Sequence, residues 1–308
     1  MTALKELPKL YFSPYSKDVV KMLAECSSSL GVRVGLICSR SQVNSENRSV
    51  GYTGFSQASL AAFVADYDML LCRDHLGKTE DEDLIMKTIN ADESAGFGIV
   101  HLHVEDPILV RRVETRTKML FELGTGEAYP RTTPSYIDYM DHLIETLRRD
   151  VPDFESHVAY LSFPTGCLIQ EAHNLNRVDP SLCEFMRSFG IPLKGHNSDY
   201  ASAATLHMLR DAGLAALNVA PQLGVIVTRA YVDFARTFGH DLSNWENTVY
   251  DGGRWKVWGS EKYAIELGGQ YHLNELPAHF RDRAYQFVLD RVYNLLSHYK
   301  LHFVGKGQ

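Results

Sequence analysis

The sequence has no CxxC pair, no block of basic residues and no apolar stretch near the roughly 18 residues that a membrane span requires. Its five cysteines, Cys26, Cys38, Cys72, Cys167 and Cys183, are scattered and odd in number. That pattern argues for reduced thiols, and several of them sit in apolar runs where cysteine acts as a small hydrophobe. The N-terminal MTALKELPKL lacks the apolar core of a secretory signal, so a cytoplasmic protein is expected. With a formal net charge of -7 and nothing to track a phosphate backbone, nucleic acid is not an expected partner, nor is a membrane. Low-complexity segments are also missing.

What is present is an ordinary globular composition, 45% hydrophobic and 22% charged over 308 residues, enough to bury one large core. Short apolar runs alternate with amphipathic segments. The runs are KLYFSP from Lys9, VRVGLICS from Val32, DMLLCRDH from Asp68 and GIVHLHVED from Gly98, then KMLFELGTG from Lys118, HVAYLSFPTG from His157, IPLKGHN from Ile191 and LAALNVAP from Leu214. Between them, Pro134 to Arg149 reads as a helix with Thr133 as its cap, and Ala201 to Asp211 as another that stops at Gly213. Eight strand-then-helix units predict a closed (β/α)8 barrel, a TIM barrel, over residues 1–235. Residues 236–308 read as a helical extension, with a loop around Trp255 and Trp258 suited to packing or an interface, and a long helix from Pro277 that closes the barrel or meets another subunit.

In such a barrel, polar residues at the C-terminal strand ends meet around one opening. Here the third strand ends in Arg73-Asp74-His75 and the fourth in His101, His103, Glu105 and Asp106. The fifth carries Glu122 and then Glu127, the seventh Lys194, His196, Asn197 and Asp199, and the eighth Asn218. Any one of these alone reads as a hydrogen-bonded barrel residue. Histidines converging from several strands with a glutamate instead suggest an N/O site for a divalent metal, most simply zinc, acting as a Lewis acid on a carbonyl or enediolate oxygen.

Several segments resemble a known family. SQVNSENRSVGYTGFS from Ser41, RDHLG from Arg73, GHNSDYAS from Gly195 and LNVAPQLGVIVTRAYVDFA from Leu217 are similar, in order and spacing, to tagatose-bisphosphate aldolase subunits of the type regarded as non-catalytic. The resemblance spans roughly residues 9–235 and extends to the class II fructose-bisphosphate aldolases. It implies that Asp74 is the proton donor to the departing alkoxide and His75 a metal ligand. It also implies that Glu122 is a metal-site carboxylate, Glu127 an acid/base, His196 the late ligand histidine, and Asn218 a substrate contact. Gln42 and Asn44 belong to the first motif and are read as substrate contacts; Tyr52, Thr53 and Gly54 are read as a turn. The sixth strand, LSFPTG, has no histidine where catalytic relatives carry a ligand, and His173 in QEAHN is the candidate replacement. The glycine-rich phosphate loop expected after His196 is missing as well, which leaves backbone amides, Ser198, Lys194 or Arg40 to hold a phosphate.

The expected activity is that of a metal-dependent lyase that cleaves or forms a carbon–carbon bond in a ketose (bis)phosphate such as tagatose 1,6-bisphosphate. Epimerisation at C4 by retro-aldol and aldol steps is a close alternative. A non-catalytic subunit stabilising a catalytic aldolase partner is the second class of reading, and recruitment to an unphosphorylated sugar is the third. A homo-oligomer is the expected assembly.

Overall fold

The computed structural model describes residues 7–43, 53–76, 81–103, 107–114, 116–124, 133–163, 179–239 and 278–305. Its strands are β1 (Leu10–Phe12), β2 (Val34–Cys38), β3 (Met69–Leu76), β4 (Ile99–His103), β5 (Leu120–Gly124), β6 (Val158–Phe163), β7 (Leu193–Gly195) and β8 (Leu214–Val219). All pair in parallel in chain order, and β8 returns to β1 to close the barrel. Each falls on one of the apolar runs read from the sequence. These runs can be nearly continuous because a strand between barrel interior and helical layer is buried on both faces.

The helices are α1 (Lys17–Leu30), α2 (Gln57–Val64), α3 (Glu82–Ala95), α4 (Pro107–Glu114), α5 (Thr133–Asp150), α6 (Phe154–His157), α7 (Pro180–Ser188), α8 (Ala203–Asp211) and α9 (Pro221–Thr237), followed by α10 (Ala278–Tyr299) and a π-helical turn, Lys300–Val304. Their ends obey local chemistry. Ser16 caps α1 by accepting the Val19 N–H at 3.2 Å, and Gly31 closes it in the left-handed region at φ 60°. Ser202 caps α8 in the same way through the Thr205 N–H.

Two apolar cores result. The larger lies between strands and helices; the smaller fills the barrel with Tyr11, Ile37, Cys72, Ile99, Tyr160 and Ala216. Gly35 is required by this inner packing, because a Cβ there would fall on the Tyr11 ring. Helix α10 packs on α1 and α9, burying Ala284, Val288, Val292, Leu296 and Tyr299. The Phe234 ring of α9 meets Phe280 and Phe287 across that seam. The domain boundary expected at 235 falls within the last turn of α9. Trp255 and Trp258 lie outside the described residues.

Candidate active site at the strand ends

Strand alternation decides which side chains enter the barrel. Pairing of His101 with Glu122, Glu122 with Tyr160, Ser162 with Lys194, and Lys194 with Ala216 places one polar belt above the apolar interior. On β3 the same alternation points Cys72 and Asp74 inward and Arg73 outward. Arg73 is fully buried there. It grips Asp92 of α3 with Nε at 2.6 Å and Nη2 at 2.5 Å, and it donates to the carbonyls of Cys38 at 3.0 Å and Val43 at 3.2 Å. That clamp ties the end of β3 to the loop after β2. Immediately beyond it the β3–β4 register shifts, and His75 adopts φ 57°, the left-handed region that a non-glycine residue enters only when its surroundings hold it there.

The turn brings His75 over the opening. One ligand atom from each of Asp74, His75, His101 and His196 lies within 4.8 Å of the others. Asp74 Oδ1 lies 3.0 Å from His101 Nδ1 and 4.0 Å from His196 Nε2, and its Oδ2 lies 3.2 Å from His75 Nε2. His75 Nδ1 makes a short hydrogen bond with His103 Nε2. His75 is outermost, with 49% of its side chain exposed, whereas His101 is 2% exposed, so the cluster runs from the surface at His75 into the barrel at His101.

A second layer orients the first. Asn218 Nδ2, which can only donate, lies 3.4 Å from His196 Nε2 and so matches the tautomer in which His196 Nδ1–H donates to Ser162 Oγ at 2.7 Å; a metal at Nε2 would take the lone pair in place of that amide contact. Beneath them Lys194 Nζ donates to Glu122 Oε2 at 2.6 Å and sits 3.6 Å above the Tyr11 ring. Glu122 Oε1 faces His196 Nδ1 at 3.7 Å.

Burial would raise the Asp74 carboxyl, but His75, His101 and His196 outweigh it and hold it below the ordinary carboxylate range. Glu122 is likewise raised by burial and lowered more strongly by Lys194, with help from His101 and His196, so that it also lies below its ordinary value. Burial, followed by the neighbouring His101, pushes His196 well below the usual imidazole value and keeps it neutral, the form in which its nitrogen can bind a metal. A donor set of three imidazoles and a carboxylate suits a borderline divalent cation such as zinc. Two further observations fit such an occupant. His101 Nε2 is buried without a hydrogen-bond partner, and Gly124 leaves bare the space beside it, where a Cβ would lie 3.0 Å from that nitrogen and 2.6 Å from Ser162 Cβ.

Of the residues singled out from the sequence, Asp74, His75 and His196 meet at the cluster, with Asn218 and Glu122 against it. Lys194 is wholly enclosed beneath it rather than lining the opening. Ser198 is fully buried too, its N–H on the Asn218 carbonyl at 3.1 Å and its Oγ turned to the Gly195 carbonyl at 3.5 Å. Gln42 closes the loop after β2, accepting the Ser39 N–H at 2.9 Å, while its carbonyl accepts the Thr53 hydroxyl at 2.5 Å. Asn44, Glu127 and His173 lie outside the described residues. His101 was visible as a strand-end histidine, yet its place in the cluster follows from sharing one face of β4 with His103; Ser162 carried no signal beyond its alternation with Tyr160. A cavity of about 540 Å³, lined by Leu7, Pro8, Arg33, Asp68 and Val304 among others, lies at the opposite, N-terminal end of the barrel. The chemistry-bearing residues are not there, and that face of such barrels serves stability.

No family model matches the chain, and no curated protein sequence matches it. Solved structures do. A probable tagatose 6 phosphate kinase from Sinorhizobium meliloti 1021 aligns over 95% of this chain and 99% of its own, at 18% identity and a TM-score of 0.70. A fructose-bisphosphate aldolase from Campylobacter jejuni aligns over 97% and 92%, at 11% identity and TM-score 0.61. The YdjI aldolase from Escherichia coli K12 aligns over 98% and 95%, at 11% identity and TM-score 0.59. At these identities the likeness is one of fold.

Proposed function

We propose that this chain is a metal-dependent, class II aldolase-type enzyme that makes or breaks a carbon–carbon bond in a ketose or ketose phosphate. The observation that carries the reading is the convergence of Asp74, His75, His101 and His196 at the C-terminal ends of the strands. Fold neighbours described as aldolases favour the same chemistry, as an analogy of architecture. His75, His101 and His196 would hold the metal. When bound, it supplies Lewis-acid stabilisation of charge developing on the substrate's carbonyl and adjacent oxygen.

Asp74 does the proton work. Its carboxylate is ionised at neutral pH, so in the cleavage direction it takes the proton of the hydroxyl at the bond to be broken. As that carbon becomes a carbonyl, the electron pair of the broken bond passes to the fragment that carries the original carbonyl. In condensation Asp74 returns the proton to the new alkoxide. Ser162 and Asn218 hold the His196 ring, and the Glu122–Lys194 pair fixes the charge beneath it. Re-addition of the retained fragment to the opposite face would give the C4 epimer, so the same residues serve an epimerase without any change of role.

Metal analysis of the purified protein beside His75→Ala and His196→Ala, followed by incubation with fructose and tagatose and their phosphates, tests this reading. Near-stoichiometric metal, lost in both variants, together with cleavage or C4 epimers is expected. A folded wild-type protein that takes up no zinc, manganese or cobalt and turns over none of these sugars would instead favour a subunit that supports a catalytic partner.

A further inference from the structure

In parallel barrels that bind sugar phosphates, the phosphate is held by the loops after the seventh and eighth strands and by free N–H groups opening the helix that follows. The opening donors of α9 are spoken for here. Helix α9 opens with Pro221, which has no N–H; the Gln222 N–H donates to Asp199 Oδ1 at 2.8 Å, and the Leu223 N–H to the Ala220 carbonyl at 3.3 Å. Asp199 is 1% exposed, so a carboxylate of this protein already occupies the position where a phosphate would meet the helix. Gln222 is committed as well, its Oε1 accepting the Tyr200 N–H at 2.8 Å and lying 2.8 Å from the Tyr299 hydroxyl oxygen. Ser198 and Lys194, which the sequence offers as phosphate holders on the same side, are buried, with Ser198 against Gly195 and Lys194 on Glu122.

We propose that the sugar bound at this site carries no phosphate on the end lying against β7 and β8, and that Asp199, seated at the start of α9, is the specificity residue that excludes one. This rests on the sugar-binding reading of the cluster and narrows its substrate class to a ketose with a hydroxyl or other uncharged group at that end. A dianion brought there would meet the buried carboxylate of Asp199 at the start of α9, a like-charge contact that strongly disfavours the wrong ligand.

The test separates this proposal from the activity itself. Binding of inorganic phosphate is measured by calorimetry on the zinc-loaded wild-type protein, on Asp199→Asn, which keeps an acceptor for the Gln222 N–H without the charge, and on Asp199→Ser. Variants are compared only when their circular dichroism and melting curves show a folded chain. Phosphate binding should be undetectable at millimolar concentration in wild type and strengthen by at least about tenfold in Asp199→Asn. In parallel, kcat/KM is compared for fructose and tagatose against their 1,6-bisphosphates. Millimolar or tighter phosphate binding by wild type, an affinity unmoved in both folded variants, or a higher kcat/KM for the bisphosphates would overturn the proposal. If no sugar turns over while the phosphate results come out as expected, the exclusion by Asp199 stands and the aldolase reading falls.

Discussion

Replacing Lys194 by methionine removes an ammonium that is fully buried and bonded to the almost equally buried Glu122. The apolar stem of methionine still fills the space above the Tyr11 ring, so the change tests charge more than volume. Glu122 is left as a buried carboxylate without its counterion, and breaking such a pair costs about 3–5 kcal/mol. The carboxylate can escape only by taking up a proton. In the wild-type protein Glu122 titrates below its ordinary value, so its contribution is complete above that value and is lost as pH falls through the lowered one. In Lys194→Met the order reverses: Glu122 is raised by its burial, and the deficit is greatest at neutral pH and shrinks as acid protonates the carboxyl. Urea unfolding followed by fluorescence at pH 7.5 and pH 5 gives both quantities, and Glu122→Gln on top of Lys194→Met should restore much of the lost stability at pH 7.5. A deficit under about 1 kcal/mol at pH 7.5, or one that grows at pH 5, would refute the claim that Lys194 is the counterion of Glu122.

Gly124→Ala should weaken metal binding by roughly tenfold or more, because the added methyl crowds Ser162 and His101 Nε2; competition with a chromogenic chelator measures it. Gly35→Ala sets a Cβ against the Tyr11 ring and should cost about 1–3 kcal/mol in denaturant unfolding, while leaving metal stoichiometry unchanged in the folded fraction. Tyr299→Phe strips the hydroxyl that donates to the Ser198 carbonyl at 2.6 Å and contacts Gln222 Oε1 at 2.8 Å. It should cost about 1–3 kcal/mol, with hydrogen exchange at the β7–α8 loop rising more than exchange in α1.

The barrel was legible because its signal is local. Each strand is a short apolar run and each helix an amphipathic one, and eight repetitions leave few architectures. The cluster was legible in part. Asp74, His75 and His196 stand at strand ends, where position along the chain already implies the barrel mouth. His101 stands at a strand end too, and the structure brings it into the cluster from the fourth strand. Nothing in LSF marks Ser162 as the partner of His196, because that contact spans 34 residues of sequence separation.

Lys194 and Ser198 show the other side of this limit. A lysine and a serine near a strand end read from sequence as phosphate contacts, since charge and hydroxyl are properties of the residue; whether they face solvent or the interior depends on strand alternation and on what lies across the barrel. The sequence by itself determined the number and order of the strands, the helices between them and the collection of polar residues at one rim, because these follow from hydrophobic periodicity and turn chemistry within short windows. Tertiary structure alone decided that Lys194 is spent on Glu122, that Asp199 occupies the start of α9 and that Arg73 clamps the turn bearing His75. Each of those pairings joins residues 19 or more positions apart, and only closure of the barrel brings them within reach.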